Sequence, residues 1–84
     1  MRKSVHHAAY QKLVEGLVEA RRNSGMTQVE VANALHRPQS YISKYEKCER
    51  RLDVIEMLEI VEVIKADPVT LIQIALKALR VKVD

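Results

Sequence analysis

Met26-Thr-Gln-Val-Glu-Val-Ala-Asn-Ala-Leu-His-Arg-Pro-Gln-Ser-Tyr-Ile-Ser-Lys-Tyr-Glu46 is the stretch on which the fold turns. Thr27 stands three residues before Glu30. That is the spacing of a capping box, in which the Thr hydroxyl accepts from the Glu amide and the Glu carboxylate accepts from the Thr amide. Met26 and Val31 flank this start as a hydrophobic staple. The spacing predicts a helix over 28–35. Pro38 marks the start of a second short helix, running from Gln39 to about Lys47. So short a turn between two helices makes them cross at ~90–120°, with their inner faces close together. Ala32 falls at that crossing, where a larger side chain would push the helices apart. Val31, Leu35, Ile42 and Tyr45 supply the apolar contacts inside the angle.

The same grammar extends outward on both sides. Upstream, Tyr10, Leu13, Val14 and Leu17 follow the i, i+3, i+4, i+7 pattern of one helical face, and Gly25 supplies a left-handed stop. Downstream, Asp53 precedes Glu56 by three, with Leu52 and Met57 as the staple pair, which opens a helix over roughly 54–65. Asp67-Pro68 opens the last helix, Asp as cap and Pro at the first position, where a missing amide costs nothing. Five helices therefore account for nearly all of the chain, and the fold class is all-α.

Composition agrees. With 84 residues, positions 1–84 form a single domain. Tyr10, Tyr41 and Tyr45 are the only aromatics, so the core is aliphatic, and two glycines with two prolines argue against a sheet rich in turns. A single cysteine allows neither an internal disulfide nor a cysteine zinc cluster. His6 and His7 point to different faces of a helix, so no metal site is expected. No cofactor and no catalytic constellation is expected either, and the chain reads as no enzyme. No apolar run is long enough to span a membrane, and the N-terminus lacks the apolar core of a signal peptide, which points to the cytoplasm. Residues 1–52 carry ten Lys/Arg and five Asp/Glu, whereas residues 53–84 carry four and six. A basic front half points to a polyanionic partner. The second short helix offers a surface for one: Gln39, Ser40, Ser43 and Lys44 project from its convex edge, hydrogen-bonding side chains free of carboxylates on a helix narrow enough for a major groove.

The paired run from Met26 to Ala32 and from Gln39 to Glu46 resembles the phage-repressor-type helix-turn-helix, that is, the Cro and lambda-repressor, XRE-like family. The resemblance covers roughly residues 10–72. It implies a five-helix lambda-repressor-like DNA-binding domain whose partner is double-stranded DNA. Matched by position, Gln39, Ser40 and Lys44 are implied as base contacts, with Gln suited to adenine and Lys to guanine. Gln28, Tyr41, Ser43, Lys47, Arg50 and Arg51 are implied as phosphate contacts, which position the protein without reading sequence. Arg21 and Glu46 fall where the family has a buried ion pair, whose disruption costs ~3–5 kcal/mol. The chain departs from the family pattern at three places: His36 and Cys48 replace usual turn glycines, and Pro38 replaces the usual Ser or Thr cap.

The last helix, about 68–80, is apolar over most of its circumference. One flank is expected to close the core and the other to meet a second copy, with Leu71, Ile74, Ala75 and Ala78 at the seam. The function expected is a transcriptional regulator, repressor in type, binding an inverted-repeat operator as a homodimer in the cytoplasm of a bacterium or from a phage genome. The alternatives are an antitoxin, which would also neutralise a partner protein, and a restriction–modification controller protein.

Overall fold

A computed structural model describes the backbone of residues 2–83 and the side chains of residues 8–80. It contains five helices: α1 (Arg2–Asn23), α2 (Gln28–Leu35), α3 (Gln39–Glu46), α4 (Val54–Ile64) and α5 (Pro68–Val83). No strand occurs among the described residues. The His6 and His7 side chains lie outside them.

Side-chain caps fix where three of the helices begin. The Glu30 amide donates to Thr27 Oγ1 at 3.1 Å and the Thr27 amide to Glu30 Oε1 at 2.9 Å, which closes the first capping box. Asp53 and Glu56 repeat it at 2.7 and 3.0 Å. Asp67 accepts from the Val69 amide and the Thr70 hydroxyl at the start of α5. Pro38 precedes α3 and gives it no side-chain cap. α2 has the bounds its sequence predicts, α3 and α4 each stop one residue earlier, and α5 continues to Val83.

Four helix ends are closed in one way. Gly25, His36, Cys48 and Lys65 take left-handed backbone, with φ of 78°, 57°, 60° and 57°. In each case the next amide bonds back to a carbonyl five residues earlier: Met26 to Arg21, Arg37 to Ala32, Glu49 to Lys44 and Ala66 to Val61. These bonds satisfy carbonyls that a helix end leaves open. His36 and Cys48 thus adopt the glycine-like geometry of the positions they fill. Lys65 does so without any signal in the sequence.

Leu17, Val31, Ile42, Tyr45, Ile60 and Ile64 are the fully buried side chains around which the helices gather. Ala32 is buried at the α2–α3 crossing. α5 lies along α1, and Gly16 is what lets it come close. A Cβ at Gly16 would stand 2.7 Å from Leu71 Cδ2 and 3.3 Å from Ile74 Cδ1. This packing corrects the expected seam. Leu71 is only 3% exposed and belongs to the core of its own chain, so it is not a surface for a second copy. Ile74, Ala75 and Ala78 are half-buried. Among the described residues of α5, the large apolar side chains left in solvent are Val69, Ile72 and Leu76.

Candidate nucleic-acid interface

At about 100° per residue, Gln39, Ser40, Ser43 and Lys44 share one side of α3, and Lys47 follows directly after its last residue. Tyr41, Ile42 and Tyr45 occupy the other side and are buried. Gln39, Ser40, Lys44 and Lys47 are exposed, and Ser43 is half-buried. The exposed side therefore carries amide, hydroxyl and ammonium groups and no carboxylate. α3 is held at this angle by the Ala32 crossing on one side and by its buried tyrosine and isoleucine side chains on the other.

A chain of polar contacts fixes both ends of α3. Arg21 donates to both oxygens of Glu46, Nε to Oε2 at 2.7 Å and Nη2 to Oε1 at 3.1 Å. It also donates through Nη1 to the Met26 carbonyl at 2.9 Å. With side chains 11% and 7% exposed, the pair is shielded from water, and the bidentate geometry compensates the desolvation. Glu46 Oε1 accepts a further bond from Gln28 Nε2 at 2.8 Å. Gln28 Oε1 in turn accepts from Gln39 Nε2 at 3.3 Å. The relay Arg21–Glu46–Gln28–Gln39 joins α1, the end of α3, the start of α2 and the start of α3. The sequence singles out each of these residues but gives no sign that they form one line.

A second cluster surrounds Tyr41, and it corrects the role expected for that residue. Tyr41 is 6% exposed. Its hydroxyl is shielded from solvent and bonds to no described residue, so it is not available to a phosphate. Burial pushes its phenol above the usual range. The Arg37 and Arg50 guanidinium carbons stand 4.4 and 4.8 Å from the Tyr41 ring centroid. Arg50 is further committed to Glu56, donating from Nη1 at 3.0 Å and Nη2 at 2.8 Å. These bonds from Arg50, and then the Asp53 amide, hold the Glu56 carboxyl at about 2. Arg51 is exposed and has its guanidinium over the Tyr10 ring at 5.0 Å. The Tyr10 hydroxyl donates to the Arg50 carbonyl at 2.9 Å and accepts from the Leu52 amide at 3.1 Å, which ties the loop after α3 to α1. The sequence shows Glu56 only as a capping-box partner, and its hold on Arg50 comes from tertiary packing.

Elsewhere, an open groove between α1 and the end of α3 is lined by residues that include Glu15, Glu19, Arg22, Lys47 and Cys48. Burial raises the Cys48 thiol, which keeps it protonated and a poor nucleophile. Among the described residues no three His, Cys, Asp or Glu side chains gather as a metal site. No described helix is long and apolar enough to cross a membrane.

Residues 17–71 match a family model described as helix-turn-helix. The structure is similar to that of an XRE-family like protein from Pseudomonas syringae pv. tomato str. DC3000. The two are 47% identical with a TM-score of 0.82, over 88% of this chain and 90% of that one. It is also similar in fold to the wild-type restriction–modification controller protein C.Esp1396I, at 22% identity and a TM-score of 0.72, over 84% of this chain and 93% of that one. No curated protein matches the sequence.

Proposed function

The chain belongs to the XRE-like helix-turn-helix family, a family of DNA-binding transcription regulators rather than enzymes, and from that premise we propose that it binds an inverted-repeat operator as a homodimer and represses by occupying promoter DNA. The exposed, carboxylate-free side of α3 carries this reading. Gln39, Ser40 and Lys44 meet base edges, where Gln pairs with adenine and Lys with guanine. Gln28, Ser43, Lys47 and Arg51 lie against the sugar-phosphate strands. The Arg21–Glu46 relay preorganises Gln28 and Gln39 for this contact, because neither amide has to be ordered on binding.

Two copies are needed for a simple reason of length. An eight-residue helix is ~12 Å long and reads only a few base pairs. Two such helices held ~34 Å apart meet successive major grooves on one side of the duplex. Val69, Ile72 and Leu76 form the free apolar stripe of α5, and they are the centre of the seam we propose, with Ile74, Ala75 and Ala78 at its edge.

Selection of bound fragments from random duplex DNA, followed by substitution, tests the assignment. Lys44→Ala and Gln39→Ala are expected to relax base preference at single positions, each by ~1–3 kcal/mol of discrimination. Lys47→Ala is expected to weaken all sequences alike and to lower the dependence of log affinity on log salt by ~0.9 per chain bound. An equal effect of all three on every sequence would overturn the sorting into readers and positioners. Absence of salt-dependent binding would overturn the proposal itself.

A further inference from the structure

Arg37 lies in the turn between α2 and α3, two residues ahead of Gln39. Its guanidinium donates no hydrogen bond to any described residue, although it stands 4.4 Å from the Tyr41 ring centroid. Its nearest carboxylate oxygen, Glu56 Oε2, is 4.0 Å away, which is an electrostatic contact without a hydrogen bond. Arg50 stands over the same ring and has already taken both Glu56 oxygens at 2.8 and 3.0 Å. Two guanidiniums thus share one carboxylate at hydrogen-bond or near range, with the Asp53 and Glu59 carboxylates further out. The Arg37 side chain is 38% exposed, against 14% for Glu56. Arg37 also sits at the positive end of the α3 dipole, where a cation is disfavoured and an anion is welcome. The fold holds this arginine in place by stacking while leaving its five donors unused.

We propose that Arg37 is a phosphate-gripping residue of the DNA interface, stacked on Tyr41 and aimed by the Arg50–Glu56 pair, which itself acts as a positioning device. The inference rests on α3 facing DNA. It assigns the phosphate contact on this side of α3 to the turn arginine, whose donors are open, and makes Arg50 the brace that occupies Glu56. A planar guanidinium with free N–H groups forms a bidentate pair with a phosphodiester, and stacking lowers the ordering cost of doing so.

The experiment is a salt titration of binding to mixed-sequence duplex DNA by the full chain. Arg37→Ala should lower the slope of log affinity against log salt by ~0.9 per chain bound, with base preference unchanged. Arg37→Gln keeps the aliphatic stem over Tyr41 without the charge, and it should give the same loss. Arg37→Lys should restore the slope. Helical circular dichroism and the thermal midpoint of each variant establish that the fold persists. A wild-type slope in both Arg37→Ala and Arg37→Gln would overturn the role of Arg37 and leave the DNA reading standing. A wild-type chain that binds no mixed DNA at low salt would overturn both.

Discussion

Glu56 answers to three donors at once: the Arg50 guanidinium through two bonds and the Asp53 amide through a third. Arg37 adds a more distant positive charge. Because all of these favour the carboxylate, its folded value lies at about 2 against an ordinary 4.5. A depressed carboxyl contributes stability that is fully present above the unfolded value and is lost as pH falls toward the folded one. Wild-type unfolding free energy should therefore drop as pH falls from about 4.5 to about 2. Glu56→Gln should lose stability at neutral pH and show a shallower drop over that window. Denaturant melts of both proteins at a series of pH values check this, and parallel curves would count against it.

At the scale of the element, α1 to α4 end in left-handed turns, three of them without glycine. Gly25 is the one glycine among four such positions, the others being His36, Cys48 and Lys65. A side chain in that conformation costs ~1–2 kcal/mol, and glycine returns part of the gain through the greater freedom of its unfolded chain. Lys65 is exposed and its helix end is closed by backbone bonds alone. Lys65→Gly should therefore raise stability by ~0.5–1 kcal/mol, read as a higher thermal midpoint. The same change at His36 would act beside Arg37 and the start of α3, so the exposed lysine isolates the backbone effect from DNA contact.

Across the whole molecule, the two sides of α5 differ in what covers them, and the proposed dimer depends on that difference. Its Leu71 side is consumed by α1 at Gly16, and Val69, Ile72 and Leu76 remain at 59%, 48% and 39% exposure. A charge placed in the free stripe meets water in a lone chain and a desolvated apolar contact in a dimer. Leu76→Glu should consequently shift the sedimentation coefficient to that of a monomer while leaving helical content intact. Binding to an inverted repeat should weaken far more than binding to a single half-site. A wild-type chain that sediments as a monomer at micromolar concentration would remove the proposed seam.

Local chemistry determined what the sequence made legible. Thr27–Glu30, Asp53–Glu56 and Asp67-Pro68 mark helix starts because a capping side chain and the amide it serves lie within three residues of each other. The polar side of α3 was readable for the same reason, since the period of one helix sorts Gln39 and Lys44 from Ile42 and Tyr45. Contacts between elements were beyond that reach. That Tyr41 is buried beneath two arginines, that Arg50 is committed to Glu56 while Arg37 keeps its donors free, and that Leu71 serves its own core all depend on how separate elements of the chain come together. Periodicity gives each helix its apolar arc, but the width of that arc does not say which part a neighbour covers. On α5 the answer came from Gly16, whose missing side chain drew one flank against α1 and left the other in solvent.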